Sequence, residues 1–583
     1  MTNTREQWEA IVWKAVSDLA PAPRPDRADL MGETPPDSAM GDLAFPMFPF
    51  ARVLKKAPAA IAQDVLERIQ AGGAALPGTI RADGPYLNIR FAREQAWTDV
   101  LAAVAEQAEH YGRSTGLAGK RIMCEFSCPN TNKPLHLGHL RNDALGMSVS
   151  SILAACGAEV LKVNLINDRG IHICKSMVAY QELGGGRTPR EEGVKPDHFV
   201  GRYYVKYAEN EKKNPEFPKR AQELLRQWEK GDPETTALWK KMNDWVVEGI
   251  EETYRRTGVS FDRVYFESQT YLSGREEVLK GLEGGIFYKK EDGSVWVDLT
   301  DRKLDHKVLL RRDGTSVYIT QDIGTAMLRY RDWPFDRLIY IVASEQIYHF
   351  QVLFEVLKLL GIPWAEDLHH LAYGMVNLPH GKMKSREGTV VDADDLLDRL
   401  VELARKEIRD KGREAEVQDM DATAEKIALG AVSYYLLLPG AAKDITFDPV
   451  RSISFTGNTG PYLQYTGARI SSILRKYEER KDHIGDGSLL PQLLTVAEEW
   501  EIAKLLADYP ARVKQAAADL SPSVVAGYTY DLAKMFNKYY HDNPVLHNED
   551  PNLVVSRVEL VRAVERVLRN AFELLGIPFL ERM

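Results

Sequence analysis

Between residues 121 and 166 the sequence alternates short apolar runs with a longer segment of helical spacing. The run RIMCEF is typical of a strand, ALGMSVSSILAACG of a helix that ends near Gly157, and EVLKVNLI of a second strand. A strand, a helix and another strand in this order form a parallel βαβ unit. The chain is therefore predicted to contain an α/β domain built on a parallel sheet.

The loop after the first of these strands carries two histidines, in the sequence SCPNTNKPLHLGHLRN at residues 127–142. In open α/β sheets ligands bind at the carboxyl ends of strands, where helix N-termini offer unpaired N–H groups to anions. His136 and His139 are expected to share one face of a first helical turn, and Gly138 lets a flat ring approach the backbone. The loop is a candidate nucleotide-phosphate site, whereas a structural or metal-binding histidine pair is the commoner alternative.

A second loop has the sequence KMKSR at residues 382–386 and follows the apolar run LAYGMVNL, which is predicted to be a strand of the same sheet. It places three cations and one hydroxyl group in five positions. Such a loop at a strand end can hold a transferred phosphoryl group from the side opposite the histidines. A solvated charged surface is the alternative interpretation.

Three regions are expected, because a chain of 583 residues with 44% hydrophobic side chains is too long for one core. They are a small α+β domain at 1–115, an α/β domain at 116–420 with a helical insertion at about 184–260, and an all-α domain at 421–583. In the last region Val561, Val564 and Leu568 predict one buried helix face. The net charge of −9 gives no overall indication of nucleic-acid binding.

The sequence also predicts the localisation of the protein and the redox state of its cysteines. No run of eighteen apolar residues and no signal-peptide core occurs, so a cytoplasmic protein without membrane association is expected. The four cysteines are too irregularly spaced for a disulfide framework or a structural zinc site. They are predicted to be reduced and mostly buried.

Several segments resemble those of a known family. HLGH resembles the HIGH signature of class I aminoacyl-tRNA synthetases, and KMKSR resembles their KMSKS loop. Five segments are similar to those of arginyl-tRNA synthetases in particular, and the resemblance spans the chain: EFSCPNTNKPLHLGHLRN, VYITQDIGTAMLRY, ASEQIYHFQ, GNTGPYLQYTGARISSILRK and YDLAKMFNKYYHD. It implies a Rossmann-type catalytic domain, an N-terminal tRNA-contacting domain and a C-terminal α-helical anticodon-binding domain.

The resemblance implies an arginine–tRNA ligase that acts in two steps. The carboxylate of L-arginine attacks the α-phosphate of ATP and releases pyrophosphate, and the arginyl group then passes to the terminal adenosine of the tRNA for arginine. Mg²⁺ is expected to arrive with ATP as a substrate complex, without a tightly bound metal or organic cofactor. A monomer is expected.

The family's site residues carry over to matching positions of this sequence. The expected catalytic residues are His136, His139, Lys133, Lys382 and Lys384. The expected ATP-binding residues are His136, Gly138, His139, Met383 and Ser385. The expected arginine-binding residues are Glu125, Asn130, His136, Tyr318, Asp322 and Gln346. The expected tRNA-binding residues are Tyr462, Gln464, Tyr465, Arg469, Asn537 and Tyr540.

Within the arginine pocket, Glu125 is expected to pair with the α-amino group, Asn130 with the carboxylate and Asp322 with the guanidinium. Helix capping is the alternative role for Asp322 and Gln346. Core packing is the alternative role for each tyrosine of the helical domain.

The sequence departs from the family pattern in two places, the basic loop and the segment QYTGAR. Lys384 stands where the KMSKS signature has its first serine, Ser385 stands where it has its second lysine, and Gly467 stands where relatives commonly have a histidine. Because a pentacoordinate phosphate needs positive charge on more than one side, Lys133 is expected to supply the missing charge. Two rival functions stay open: a related nucleotidyl transferase that activates another acid without tRNA, and a tRNA-binding protein without catalytic activity.

Overall fold

The computed structural model describes residues 2–19, 25–33, 35–37, 39–73, 75–271, 273–379 and 391–583. These residues form two compact units. The first contains the chain up to Gly112 together with Arg469–Ala511 and Tyr530–Asn570. The second contains Arg113–Ala468, Arg512–Thr529 and Ala571–Met583.

The N-terminal part of the first unit combines helices with a small antiparallel sheet. Its elements are α1 (Thr2–Leu19), β1 (Leu43–Pro46), α2 (Ala51–Leu54), α3 (Pro58–Ala71), β2 (Gly78–Asp83), β3 (Tyr86–Phe91) and α4 (Arg93–Gln107). Strand β3 lies between β1 and β2 and pairs antiparallel with both. Helix α3 begins at Pro58, whose fixed φ suits a first helical turn, and it buries Ile61, Val65 and Ile69 on one face.

The second unit begins with a parallel α/β arrangement. Its elements as far as the main sheet extends are β4 (Arg121–Glu125), α5 (Leu137–Ala155), β5 (Glu159–Ile166), α6 (Ile171–Leu183), α7 (Pro189–Glu192), α8 (Pro196–Glu211), α9 (Glu216–Glu229), α10 (Pro233–Thr257), β6 (Arg263–Phe266), α11 (Glu267–Thr270), α12 (Ser273–Glu283), β7 (Tyr288–Lys289), β8 (Val295–Val297), β9 (Lys307–Leu310), α13 (Tyr318–Asp332), β10 (Arg337–Ala343), α14 (Ile347–Leu359) and β11 (Leu368–Tyr373).

Five of these strands form a parallel sheet in the order β11-β10-β4-β5-β6. The predicted βαβ unit is thus β4, α5 and β5, and the predicted parallel α/β domain is confirmed. Strand β10, which lies between β11 and β4, buries four consecutive residues from Leu338 to Ile341, as expected for a strand covered on both faces. Helix α5 ends at Ala155, and Gly157 follows it with a φ of 96°.

One strand prediction was wrong. The run LAYGMVNL does not form a single strand: β11 ends at Tyr373, and Val376–Asn377 forms a separate strand, β12, that pairs with β13 (Ile445–Thr446). The chain leaves the main sheet at Gly374, whose N–H donates to Ala441 O at 2.9 Å. A Cβ at Gly374 would lie 2.5 Å from the backbone of Lys443, so the two segments can approach only without a side chain there. The strand nearest the KMKSR loop therefore belongs to a different, two-stranded sheet.

The remainder of the chain is almost entirely helical. Its helices are α15 (Ala393–Asp410), α16 (Met420–Leu437), α17 (Pro449–Ser452), α18 (Gly460–Ile484), α19 (Ala497–Ala518), α20 (Pro522–Asp542) and α21 (Pro551–Leu575). Val561, Val564 and Leu568 of α21 are fully buried, as their spacing predicts. None of the helices in the described ranges has the length and apolar character needed to cross a membrane. The four cysteines are free thiols, and all except Cys128 are buried.

Candidate active site

The loop after β4 has a strained backbone that side chains hold in place. Ser127 and Cys128 have φ values of 71° and 47°, a region that non-glycine residues rarely adopt. Asn142 Oδ1 accepts from Ser127 N at 2.6 Å, and Asn164 Oδ1 accepts from Cys128 N at 3.0 Å. The Asn167 amide donates to Cys128 O at 3.1 Å. These contacts from α5, from β5 and from the residue that follows β5 fix the loop at the carboxyl end of the sheet.

The two histidines of the HLGH motif cap helix α5. His136 is the N-cap residue; its Nδ1 accepts from Gly138 N at 3.1 Å, and His139 Nδ1 accepts from His136 N at 3.1 Å. The ring centroids are 3.9 Å apart. A Cβ at Gly138 would lie 3.0 Å from the His136 ring, so the ring that approaches this glycine is the imidazole of His136 itself.

These hydrogen bonds assign the protonation state of both rings. An Nδ1 atom that accepts from a backbone N–H carries no proton, so in the neutral ring the proton is on Nε2. Burial and nearby Lys133 lower the pKa of His136 to about 3, and burial with His136 and Lys133 lowers the pKa of His139 well below its usual value. Both histidines are therefore neutral Nε2–H donors at the N-terminus of α5, which is a favourable place for an anion.

Lys133 brings a cation to the same place. It influences the titration of both histidines, and its own pKa is lowered by burial. It also lines a cavity of about 650 Å³ whose charged lining is mixed, with His198, Arg202 and Lys206 of α8 on one hand and Glu209, Asp392 and Asp395 on the other. A partly desolvated ammonium group in such a setting gains more from an anionic ligand than an exposed one does.

The segment that follows the KMKSR loop is attached to the histidine motif. Leu137 N donates to Val391 O at 3.2 Å, and Ala393 N donates to Leu135 O at 3.0 Å. His136 and Asp392 form an isolated antiparallel bridge between them. Although residues 382–386 lie outside the described residues, the chain that emerges from them runs directly beside His136.

A cluster of charged side chains anchors this segment. Asp197, His198 and Asp394 lie close enough together to share a metal ion. Lys195 Nζ already occupies the position between the carboxylates, at 2.6 Å from Asp394 Oδ2 and 3.2 Å from Asp197 Oδ2. The cluster is thus an ion network that connects α8 to the start of α15, and an ammonium group provides its positive charge.

The amino-acid half of the site is built around two carboxylates, a buried one at the end of β4 and a partly exposed one on α13. Glu125, the last residue of β4, is 5% exposed and forms an ion pair with Arg329, which is 1% exposed. Burial raises the pKa of Glu125, Arg329 opposes this rise, and Asp322 adds to it, so the two carboxylates are electrostatically coupled. The structure therefore brings together two of the residues expected to bind arginine.

Asp322 has a partner that the sequence did not predict. Its Oδ2 lies 2.6 Å from Nε2 of His349 on α14. Asp322 is the fifth residue of α13 and does not cap that helix, whereas Gln346 occupies the N-cap position of α14 without a side-chain capping bond. Tyr318, the first residue of α13, is 70% exposed, and Gln346 and Asn130 are also exposed.

A third carboxylate adjoins these two. Glu267 follows β6, and burial followed by Asp168 and Asp322 raises its pKa to about 7 despite the opposing effect of Arg169. When the Gln321 amide is oriented so that its nitrogen and its oxygen both have hydrogen-bond partners, the nitrogen donates to Glu267 at 3.0 Å and the oxygen accepts from Arg169 at 3.2 Å. A cluster of carboxylates of this kind suits a cationic, planar group such as a guanidinium.

Three residues of this site were missed in the sequence: Arg329, His349 and Glu267. His349 lies within the segment ASEQIYHFQ and Arg329 lies within VYITQDIGTAMLRY. Arg329 lies seven residues after Asp322, which places both residues on one helix face. This spacing is the sequence feature from which Arg329 could have been predicted. Glu267 belongs to no quoted segment and follows a short strand, so sequence pattern alone offered no signal for it.

The predicted phosphate-binding residues of the basic loop fall outside the described residues. They are Lys382, Met383, Lys384 and Ser385. Their expected roles stay predictions. The part of the site that is expected to bind the phosphates of ATP is called the phosphate half. Among the described residues it consists of Lys133, His136, Gly138 and His139.

The predicted tRNA-binding residues divide between the two units. In the first unit Arg469, Asn537 and Tyr540 come together: the Arg469 guanidinium contacts the Asn537 side-chain oxygen and lies 5.8 Å from the Tyr540 ring centroid. In the second unit the Tyr465 hydroxyl accepts from Arg413 at 2.7 Å. Tyr462 is partly buried on the same helix, α18.

Gln464 has a different environment from the other five residues. It is fully buried, and its amide donates to the backbone oxygens of Lys426 and Pro578, each at 2.9 Å. A nucleotide base would have to displace both bonds to reach this side chain. The burial of Gln464 argues against direct contact with RNA and indicates that it joins α18 to α16 and the C-terminal segment.

Comparison with known proteins agrees with this arrangement over the whole chain. Three family models match: the N-terminal domain of arginyl-tRNA synthetase at residues 6–91, the catalytic domain of class I tRNA synthetases (R) at residues 100–448, and the DALR anticodon binding domain at residues 463–583.

Individual relatives match along their full length. The chain is 54% identical to the arginine–tRNA ligase of Treponema denticola and 52% identical to that of Treponema pallidum, with 100% of each chain covered. The arginyl-tRNA synthetase of Thermus thermophilus has a similar structure, with a TM-score of 0.82 and 27% identity over 99% of this chain and 100% of that one. The arginyl-tRNA synthetase of Plasmodium falciparum shares the fold, with a TM-score of 0.77 at 18% identity over 99% of both chains. Given its histidine motif, its parallel sheet and these full-length matches, the chain belongs to the arginine–tRNA ligase family of class I aminoacyl-tRNA synthetases.

Proposed function

We propose that this chain activates L-arginine with ATP and transfers the arginyl group to the terminal adenosine of the tRNA for arginine. The observation that carries the proposal is the division of the site at the end of β4. Carboxylates that suit a guanidinium and an ammonium group lie on one side, buried at Glu125 and partly exposed at Asp322 and Glu267. Groups that suit phosphates lie on the other, at Lys133, His136 and His139.

In the first step, the two halves hold the reactants. Asp322 pairs with the guanidinium, Glu125 with the α-amino group and Asn130 with the carboxylate, while Tyr318 and Gln346 border the pocket. The neutral Nε2–H groups of His136 and His139 donate to phosphate oxygens, and His136 also lies on the path of the arginine carboxylate. No enzyme nucleophile is needed, because the substrate carboxylate itself attacks the α-phosphate.

Charge accumulates on the phosphates as pyrophosphate leaves, and cations placed in advance stabilise this transition state. Lys133 supplies one such charge from beside the histidines. Lys382 and Lys384 supply charge from the basic loop, with Met383 and Ser385 against the nucleotide. Mg²⁺ enters as Mg-ATP, held mainly by phosphate oxygens and water.

In the second step, the tRNA is held by the helical region and the N-terminal region. The regions 1–115, 116–420 and 421–583 are proposed as tRNA-contacting, catalytic and anticodon-binding domains, which the three family matches support. Tyr462, Tyr465, Arg469, Asn537 and Tyr540 are the proposed RNA contacts, because aromatic rings beside a basic group suit unpaired bases. A cytoplasmic monomer is proposed on the family resemblance.

Amino-acid-dependent ATP–pyrophosphate exchange tests this function. Exchange should require arginine among the twenty amino acids, measured with and without tRNA. Exchange with a different amino acid would overturn the proposal in favour of another nucleotidyl transferase. If tRNA binds and no amino acid supports exchange under either condition, the chain is a tRNA-binding protein without catalytic activity.

A further inference from the structure

Helix α8 packs directly against the loop that leads to His136. A Cβ at Gly201 of α8 would lie 2.8 Å from Cδ of Pro134 and 3.5 Å from Cα of Lys133, so the helix and the loop can approach this closely only where residue 201 has no side chain. The Cδ atom of Pro134 belongs to a ring that includes the backbone nitrogen, so it moves only with the main chain. The place of α8 therefore limits the place of the loop two residues before His136.

A second element is paired with the same loop. The bridge between His136 and Asp392 is flanked by two backbone hydrogen bonds, at 3.2 and 3.0 Å, which join the neighbours of His136 to the neighbours of Asp392. These bonds fix the backbone on both sides of His136. Because Nδ1 of the His136 ring accepts from Gly138 N, the direction of its Nε2–H follows that backbone.

The ion network connects these two elements. Lys195, Asp197 and His198 lie at the N-terminal end of α8, and Asp394 is the second residue of α15. Asp394 Oδ2 accepts from Lys195 Nζ at 2.6 Å, lies 3.3 Å from His198 Nε2 and accepts from Thr253 Oγ1 of α10 at 3.1 Å. Three groups from α8, its N-cap residue and α10 thus converge on one carboxylate, two residues after the bridge to His136.

The network is largely removed from water. The side chain of Asp197 is fully buried, and those of Asp394 and Lys195 are 15% and 18% exposed. Although burial acts to raise the pKa of Asp394, hydrogen bonds from His198 and Lys195 hold it below its usual value. Removing one member of such a network leaves the others short of a partner, so the contact between α8 and the start of α15 depends on the Asp394 charge.

We propose that α8 and its ion network position the phosphate half for adenylate formation: Gly201 allows α8 to fix the loop before His136, and Lys195 with Asp394 keeps residues 391–393 paired to it, so that the Nε2–H of His136 is directed at the phosphates before ATP binds. This rests on the proposed function. Gly201, Lys195 and Asp394 act through His136, so they are positioning residues.

The test is the rate of arginine-dependent ATP–pyrophosphate exchange by Asp394→Asn at saturating substrates, with tRNA present and with radiolabelled pyrophosphate so that slow variants stay measurable. The amide keeps the shape of the side chain but weakens its bonds to Lys195 and His198. The rate should fall about 10- to 100-fold, the scale of misplacing a reacting group by about 1 Å. The KM for arginine should stay within about twofold, because the amino-acid half is unchanged.

The matched control is Asp398→Asn. Asp398 lies one turn further along α15, is 69% exposed and pairs with Arg256 at 2.7 Å. The substitution removes a carboxylate from the same helix without touching the ion network. Its exchange rate and its KM for arginine should both stay within about twofold of wild type.

A double-mutant cycle shows whether Asp394 acts through His136. His136→Gln removes the imidazole that the network directs, so in that background Asp394→Asn should slow exchange by less than about threefold further. A general loss of structure would instead multiply the two separate effects. Multiplicative effects would overturn the inference, and so would an arginine KM that rises as much as the rate falls.

A second variant perturbs the same loop without changing a charge. Gly201→Ala places a methyl group against Pro134 and should slow exchange about tenfold at an unchanged KM for arginine. In Gly527→Ala, on helix α20, the new Cβ would meet no described atom within 4 Å, so this variant should match wild type. If Asp394→Asn does not fold, as judged by circular dichroism, Gly201→Ala decides the question by the same cycle with His136→Gln. Failure of wild type to show arginine-dependent exchange would instead overturn the proposed function.

Discussion

The amino-acid half and the phosphate half of the site differ in the surroundings of their ionisable side chains. On the amino-acid side, Glu125 is paired with Arg329 and Asp322 is in contact with His349. On the phosphate side, the pKa of Lys133 and those of His136 and His139 are all lowered by burial. The first half sets its carboxylates against a guanidinium and an imidazole, whereas the described part of the second half gathers basic groups whose charged forms are disfavoured by burial.

This difference explains how the residues around the carboxyl end of β4 can bind two different reactants. A preformed carboxylate arrangement selects a ligand by shape and charge, because a wrong ligand leaves buried groups unpaired. Basic groups that are partly removed from water respond most strongly to a polyanion whose charge increases in the transition state. Substitutions on the amino-acid side should therefore change substrate affinity, and substitutions on the phosphate side should change the rate.

The largest effect is expected at Asp322. Asp322→Asn removes the charge that faces the guanidinium and should weaken arginine binding by roughly 2 to 5 kcal/mol, while ATP binding stays nearly intact. Isothermal titration calorimetry with each ligand measures both affinities. Unchanged arginine affinity would place Asp322 outside the pocket and would remove the basis for the comparison.

The next effect is expected at Lys133. Lys133→Ala should slow adenylate formation about 100-fold, the scale of losing one preorganised charge, with little change in arginine or ATP affinity. Lys384→Ala is the matched control and should slow it much less. Single-turnover kinetics of adenylate formation compare the two. If Lys384→Ala has the larger effect, the basic loop supplies the charge and the proposed role of Lys133 is wrong.

A moderate effect is expected at Glu267. Glu267→Gln should raise the arginine KM about tenfold, as for loss of one charge-assisted hydrogen bond. Because the pKa of Glu267 is raised to about 7, its carboxylate is present above that pH and is lost as pH falls through 7. Wild-type arginine affinity should thus increase between pH 6 and 8, and the variant should show a flatter profile. The same slope in both proteins would show that another group titrates.

The smallest effect concerns the histidines. Since the pKa of His136 is lowered to about 3, its ring stays neutral throughout the range where a free histidine titrates. In the Glu267→Gln background, the rate constant at saturating substrates should change less than about twofold between pH 6 and 7. A change with a midpoint near 6.5 that disappears in His136→Gln would mean that the imidazole acts in its charged form.

Local pattern predicted the elements that carry the phosphate half. Strand β5 spans Glu159–Ile166, the same residues as the apolar run EVLKVNLI, and the histidines lie at the start of α5 as their spacing indicated. The sequence could not predict where LAYGMVNL divides, because the break depends on close approach between Gly374 and Lys443. Periodicity within one segment carries no information about such contacts between distant segments.

The amino-acid half shows the same limit. Asp322 and Glu125 were identified through family resemblance, yet their partners His349 and Arg329 follow from the packing of α13 against α14 and β4. A single histidine or arginine within a helix has many possible roles, and only the fold selects one. The residues 380–390, which include the basic loop, lie outside the described residues, so the roles of Lys382 and Lys384 rest on sequence.

The most direct measurement compares arginine with citrulline in ATP–pyrophosphate exchange. Citrulline has nearly the same shape as arginine but carries a neutral urea group in place of the guanidinium. If paired carboxylates select the amino acid by charge, kcat/KM for citrulline should be about a thousandfold or more below that for arginine. Comparable values for the two amino acids would contradict the account, since the carboxylate cluster at Asp322 and Glu267 would then have no part in recognition.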